Sequence, residues 1–253
     1  MSEPIANGSL VNANLKAYYK LNAGALVTDS SGNGYTLTNN NSVAEADGQD
    51  SAFGKAADFG VSDFNKSLSI ANNLGITTKV ISMSCWVKLN AEIASGAWKF
   101  IFHQSAEQDW SIGISYEYNG GTRRLNFVSI QAGIGTTPYY HNITLGTSNW
   151  YHLAITCDGA TVKAYLNGVY LGSVAARGSG NAVASNFIIG GDGELYPTIN
   201  NESAAIIDDV AVFNDVLTNA EVLAIYLGDW WTATTNYLTN YRGRKRTHGA
   251  VSV

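Results

Sequence analysis

Residues 149–173, NWYHLAITCDGATVKAYLNGVYLGS, alternate apolar and polar side chains and are interrupted by two dipeptides, Asp158-Gly159 and Asn167-Gly168. Both dipeptides favour the positive φ angles of two-residue hairpin turns, whose twist matches that of the flanking strands. The stretch therefore predicts three consecutive antiparallel strands, Trp150 to Cys157, Thr161 to Leu166 and Val169 to Ser173. No residue in it forms part of a catalytic motif, so it speaks for the fold and not for a ligand.

Composition extends the β reading to the whole chain. Charged residues make up 14% of the 253, Gly occurs 26 times and Pro three times, where an average soluble chain is about one-quarter charged. A turn-rich β protein with a surface of Asn, Ser, Thr and Gly fits this balance, and a chain of this length commonly forms a single sandwich. Charge is unevenly spread. Arg242, Arg244, Lys245 and Arg246 against Asp229 give the last 25 residues +3, so residues 1–228 carry −8 of the net −5. An acidic body argues against nucleic acid as the main partner, since backbone binding needs a basic surface. The first residues, MSEPIANGSLVNANLK, lack the basic and apolar regions of a secretory signal, and no apolar run approaches a membrane span.

On either side of the meander the strand rhythm continues. Residues 1–14 read as a loose leader, Leu15 to Leu21 as a first strand, and Asp29 to Gly34 (DSSGNG) as a loop. Tyr35 to Leu37 and Ala56 to Phe59 read as short strands, with a polar surface excursion from Asn39 to Gly54 between them. Ser67 to Ile70 follows, then Ile81 to Leu89, which places Met83, Cys85, Val87 and Leu89 on one face and Ser82, Ser84, Trp86 and Lys88 on the other. Trp98 to His103, Trp110 to Tyr116 and Leu125 to Ile130 complete the rhythm before a loop tip from Gly133 to Tyr140. Late strands are expected at Asn186 to Ile189 and Ala204 to Phe213, around a Gly-rich loop from Gly190 to Asn201. One helix is expected, opened by Thr218 and Glu221 as a capping box ahead of Val222, Leu223, Ile225 and Tyr226.

Cys85 and Cys157 alternate with core-type residues and read either as two buried free thiols or as a bridge between sheets. The tail, 229–253, spaces Trp230, Trp231, Tyr237 and Tyr241 through polar residues ahead of its basic run. Its aromatic content predicts packing on the sandwich or on a neighbouring chain.

The meander, together with LKAYYKLN, DSSGNG, SMSCWVKL, FIIGGDG and IIDDVAVFNDVLTNAEVLAIY, resembles the laminin-G-like, concanavalin A-like jelly-roll family over about Leu15 to Tyr226. The resemblance implies an all-β fold of two antiparallel sheets packed face to face, with binding on rim loops or on a concave face. That gives a domain at 15–228 between the leader and a C-terminal docking tail. The family holds lectins, carbohydrate-binding modules, adhesion domains and virion proteins, so fold alone does not set the task.

Three kinds of site follow from that resemblance. In similar domains calcium ties loops together, which nominates Asp29 with Asn33 and Asp208 with Asp209, because calcium takes six to eight oxygens and many of them come from loops. Against this, the same residues serve equally as Asx-turns and a strand end. A sugar surface needs flat aromatic faces beside amides and hydroxyls, which nominates Trp110, Tyr139, Tyr140 and His141 with Asn142, and Tyr196 with Asn200 and Asn201. Hydrolases of this architecture carry carboxylates clustered on one strand. The nearest match here, Glu45-Ala-Asp47-Gly-Gln-Asp50, falls in a Gly-containing polar stretch, and His152 reads as a structural strand residue.

The expected function is therefore a non-enzymatic recognition or structural module. The favoured form is a virion-associated protein, a phage head decoration or fibre component, reaching other structural proteins through Trp230, Trp231, Tyr237, Tyr241, Arg242, Arg244, Lys245 and Arg246 and forming an oligomer or assembly. The alternatives are a free-standing lectin for a glycan or cell-surface ligand, cytoplasmic or released without a signal, and a glycoside hydrolase of the same fold.

Overall fold

The structure is a computed structural model in which residues 14–49, 54–61, 66–105, 110–131, 135–177, 186–191 and 203–228 are described. Among these, fifteen strands form two antiparallel sheets. The strands are β1 (Leu15–Tyr19), β2 (Thr38–Asn40), β3 (Ala44–Asp47), β4 (Lys55–Asp58), β5 (Ser67–Ile70), β6 (Val80–Leu89), β7 (Trp98–Ser105), β8 (Trp110–Asn119), β9 (Thr122–Gln131), β10 (Gly135–Asn142), β11 (Tyr151–Asp158), β12 (Thr161–Leu166), β13 (Val169–Ala175), β14 (Asn186–Ile189) and β15 (Ala205–Phe213). A single helix, α1 (Asn219–Leu227), follows.

One sheet has eight strands in the order β13-β12-β11-β6-β15-β4-β3, with β1 also paired to β15, and the other has seven in the order β10-β9-β8-β7-β14-β5-β2. The meander of residues 149–173 forms as its turns require. Asn167 and Gly168 take φ 51° and 77°, and Asp158 Oδ1 accepts the N–H groups of Ala160 and Thr161 at 2.9 and 2.7 Å.

Between the sheets lies one apolar core. It takes Met83, Cys85, Val87 and Leu89 from β6, Leu153, Ile155 and Cys157 from β11, and Ile112, Ile114, Leu125 and Phe127 from β8 and β9. Both cysteines are buried free thiols. No bridge joins them, because both lie in the eight-stranded sheet, where Cys85 faces Leu153 and Cys157 faces Ile81. That register sets them four residues apart along neighbouring strands, beyond the ~7 Å Cα separation a disulfide tolerates. Burial pushes the Cys157 thiol up to about 11.

A second apolar cluster covers the outward face of the eight-stranded sheet. Val222 and Ile225 of α1 pack with Tyr18, Ala154, Tyr165, Ala211 and Phe213. Helix α1 starts where the sequence places it. Thr218 accepts from the Glu221 N–H while Glu221 returns a bond to the Thr218 N–H, and Gly228 closes the helix in the left-handed region.

Three segments differ from the sequence expectation. Tyr35 to Leu37 is not a strand, because its N–H groups serve the loop: Tyr35 donates to Asp29 and Leu37 to the Val27 carbonyl. The polar excursion from Asn39 holds most of the short edge strand β2, paired to β5 from Thr38↔Ser69 to Asn40↔Ser67, and a second edge strand, β3, paired to β4 from Ala44↔Asp58 to Asp47↔Lys55. Its polarity suits a sheet edge, where charged side chains discourage pairing with other chains. Residues 135–142 form the edge strand β10, in continuous register with β9. Pro138 is tolerated there because an edge strand has one side free of ladder bonds.

Candidate functional site

The carboxylates nominated for calcium are engaged by the protein itself. Asp29 Oδ1 accepts from the Tyr18 and Ser31 N–H groups at 3.1 and 2.8 Å, and Oδ2 from the Ser31 hydroxyl and the Tyr35 N–H at 2.8 and 3.0 Å. Asn33 points its amide nitrogen at the carbonyls of Leu15 and Lys16. This constellation fastens the DSSGNG loop to β1 by Asx-type bonding. Asp208 accepts the N–H groups of Gln49 and Asp209 at 2.8 and 3.0 Å, while Asp209 accepts the Tyr18 hydroxyl at 2.6 Å. Asp29 and Asp209 thus hold opposite ends of Tyr18 and form no shared oxygen cage. Lone pairs already directed at N–H and O–H donors do not fit a cation, and among the described residues no group of three or more His, Cys, Asp or Glu is placed to hold one.

The carboxylates of the Glu45 stretch are also committed. Glu45 accepts the Gly24 N–H at 2.6 Å, and Asp47 pairs with Lys55 at 2.8 Å, which holds the exposed Asp47 carboxyl below its ordinary range. Asp50 lies outside the described residues.

Tyr139 and Tyr140, adjacent in sequence, point to opposite sides of β10. Tyr139 faces inward. Its hydroxyl donates to the Leu171 carbonyl at 2.7 Å, and its ring lies 2.5 to 2.6 Å from where a Cβ on Gly172 would be. Glycine at 172 is what lets the ring lie against β13, so Tyr139 fastens the two sheets together at their open edge. It faces no ligand. His141 shares the inward parity, opposite Leu125, and partial burial lowers its pKa.

Tyr140 faces outward and is 46% exposed. It belongs to an arrangement that the sequence alone leaves unassembled. Because Ile112, Ile114, Tyr116, Leu125 and Phe127 point into the core, the alternate residues of β8 and β9 point out. Register then aligns Phe100, Ser115, Asn126 and Tyr140 in one row across four strands, and Trp98, Glu117, Arg124 and Asn142 in the next.

These rows are bonded to one another. Trp98 Nε1 donates to the Ser115 hydroxyl, Asn126 Nδ2 donates to the same hydroxyl at 3.3 Å, and Arg124 Nε donates to Glu117. The Arg124 guanidinium sits 3.7 Å from the centre of the Tyr140 ring. Trp98 and Phe100 lie with ring centres 4.7 Å apart. The result is a strip of aromatic faces edged by amide, hydroxyl and guanidinium groups. Its floor, Ser115 and Asn126, is made of short polar side chains between larger neighbours.

Beside the strip, His103 projects from β7 on the same outward side, opposite Gly113. Its Nε2 is 2.9 Å from the Gly191 carbonyl and its ring is tilted on Phe100 at 4.5 Å. Burial lowers its pKa to about 4, so the neutral ring donates to Gly191 and ties the end of β14 over this face.

Of this strip the sequence reading nominated Tyr140 and Asn142 and did not single out Trp98, Ser115, Glu117, Arg124 or Asn126. The signal was the outward alternation Ser111, Gly113, Ser115, Glu117, whose small and polar members leave room for larger groups beside them. Trp110 opens β8, but its side chain lies outside the described positions. Tyr196, Asn200 and Asn201 lie outside the described residues, as do the tail residues Trp230, Trp231, Tyr237, Tyr241, Arg242, Arg244, Lys245 and Arg246. No described helix is long and apolar enough to cross a membrane.

The fold recurs in solved structures of known proteins. Domain 4 of AbnA, an extracellular GH43 arabinanase from Geobacillus stearothermophilus in complex with arabinotriose, is similar at TM-score 0.59 and 22% identity, covering 84% of this chain and 98% of that one. The binding domain of Paraclostridial Mosquitocidal Protein 1 is similar at TM-score 0.65 and 19% identity, covering 87% of this chain and 55% of that one. The receptor binding domain of botulinum neurotoxin D is similar at 0.67 and 17%, covering 86% and 53%. The chain thus spans nearly the whole arabinanase domain and about half of each toxin domain. At these identities the likeness is one of fold. No curated protein matches the sequence. Residues 59–223, more than half of the chain, match the family described as the concanavalin A-like lectin/glucanases superfamily, and to that superfamily this protein belongs.

Proposed function

We propose that the protein is a carbohydrate-recognition module whose binding face is the outward side of β7 to β10. The carrying observation is the strip itself. Trp98 and Tyr140 supply ring faces, the buried Asn126 and Ser115 put an amide and a hydroxyl at the floor beneath them, and Arg124 with Glu117 borders them. Sugars present C–H faces that stack on aromatic rings and hydroxyls that pair with such groups, and aromatic side chains add contact area at little entropic cost. Superfamily membership supports this reading, as do similar structures described as binding domains or as bound to an oligosaccharide. A binding role is favoured over turnover because Glu45 and Asp47 are each committed to a protein donor.

Attachment to a virion through the tail draws no support from the similar structures named above, none of which is described as a virion protein. The test of the recognition reading is a glycan array probed with the full chain and with Tyr140→Ala and Trp98→Ala. Saturable binding that both substitutions weaken is the expected result. A chain that binds no carbohydrate, or variants that bind as well as the parent, would overturn it.

A further inference from the structure

One buried polar atom on the proposed binding face has no hydrogen-bond partner among the described residues. Asn126 is 3% exposed and its Oδ1 bonds to nothing among the described residues. Its Nδ2 is used on Ser115, and the Ser115 oxygen already accepts from Trp98 as well, which leaves the Ser115 hydroxyl proton free to be donated. A buried carbonyl without a donor is costly, and in native proteins it calls for a reason.

The surroundings supply one. Asn126 stands directly opposite Tyr140 and two residues from Arg124 on the same face. Arg124 lays its guanidinium on the Tyr140 ring, and Glu117 holds it there. Arginine is also the most freely rotatable side chain in the strip.

Resting on the recognition reading, we propose that Arg124 is a built-in placeholder for a neutral saccharide. The guanidinium occupies the ring face of Tyr140 that a sugar takes, and the sugar that displaces it gives a hydroxyl proton to Asn126 Oδ1. Guanidinium and sugar ring both bind through the electron-rich aromatic face, so the two compete for one surface. The ligand is neutral because the only charges in the two rows, Arg124 and Glu117, already compensate each other. An acidic sugar would find no unpaired cation there and would bring its carboxylate beside that of Glu117.

Calorimetric titration of the full chain tests this with neutral pentose and hexose oligosaccharides, arabinotriose among them, and a matched set bearing uronic or sialic acid. Arg124→Ala should bind neutral sugars more tightly, by about two- to fivefold or more, the lower bound being the worth of a solvent-exposed cation–π contact and Arg124 being partly buried. Glu117→Gln, which loosens the same guanidinium, should shift affinity in the same direction and serves if Arg124→Ala folds poorly. Asn126→Ala should bind about tenfold more weakly, with no fall in the thermal midpoint, since it also removes the unpaired carbonyl. Weaker or unchanged binding by both Arg124→Ala and Glu117→Gln overturns the placeholder. Preference for acidic glycans overturns the ligand class, and unchanged affinity in Asn126→Ala removes that residue; each of these leaves the recognition reading standing. In this experiment, failure of the parent chain to bind any glycan would overturn that reading too.

Discussion

The outward faces of the two sheets are built from similar parts and put to different uses. On the eight-stranded sheet Trp86 packs against His152 and Tyr226, at 5.3 and 5.5 Å between ring centres, and α1 lies over them. On the seven-stranded sheet Trp98, Phe100, His103 and Tyr140 form a comparable aromatic set with hydroxyl and amide neighbours. No helix of the described residues covers it. The difference is one of cover. A capping box and two helical apolar residues turn the first face into a second core, whereas the second keeps Tyr140 and Asn142 exposed and has its charges paired side by side. Aromatic content by itself does not mark a candidate ligand face; here it is joined by polar groups at the floor, an exposed Tyr140 ring at the rim, and no helix above it among the described residues.

Substitutions should separate the faces, the largest effects falling on the roofed one. Trp86→Ala, at 3% exposure, should lose about 3–5 kcal/mol of stability, the usual range for emptying a large aromatic from a core, as read by urea unfolding. A loss below ~1 kcal/mol would mean that α1 is not a working cover. Next comes pH. His103 titrates near 4 when folded, against an ordinary value near 6.5, because burial disfavours the charged ring. The folded state therefore binds fewer protons than the unfolded one, so this stabilisation is complete above pH ~6.5 and fades as pH falls toward ~4. Its loss amounts to about 3 kcal/mol over that window. Unfolding free energies of the parent and of His103→Gln, measured at pH 7 and pH 4.5, should converge as the solution is acidified. Parallel curves would show that His103 is not held neutral.

How much of this was legible in the sequence depended on whether a signal was local. The dipeptides at 158–159 and 167–168, the inward set Met83, Cys85, Val87 and Leu89, and the pair Thr218 and Glu221 each encode their structure within a few residues, and each appears as read. The edge strands β3 and β10 were not legible as strands. Their polar residues and Pro138 mimic a loop, and only the partner strand's register reveals the pairing. The same non-locality hid the strip. Ser115 and Asn126 are unremarkable outward positions until β7, β8, β9 and β10 align, and Tyr139 cannot be told from Tyr140 before β10 is known to be extended.

Smaller effects sharpen the contrast. Thr218→Ala removes the side-chain acceptor for the Glu221 N–H and should cost about 1 kcal/mol, because the roof begins at that cap. Circular dichroism should show the helix signal weakening before the strand signal on heating, and simultaneous loss would make roof and sheet a single cooperative unit.

Tyr140→Ala should do least to the fold. The ring is 46% exposed and its cation contact is the partly buried Arg124 guanidinium, so unfolding free energy should move by less than about 1 kcal/mol, the scale of a single cation–π contact near the surface. Tyr139→Phe, one residue away, deletes the bond to the Leu171 carbonyl across the gap between sheets and should cost about 1 kcal/mol, the net worth of a typical intramolecular hydrogen bond. If sugar affinity falls in Tyr140→Ala and is unchanged in Tyr139→Phe, while stability does the reverse, then adjacent tyrosines divide recognition from construction. Equal effects on both quantities in both variants would mean that β10 works as one element and that its two faces are not independent.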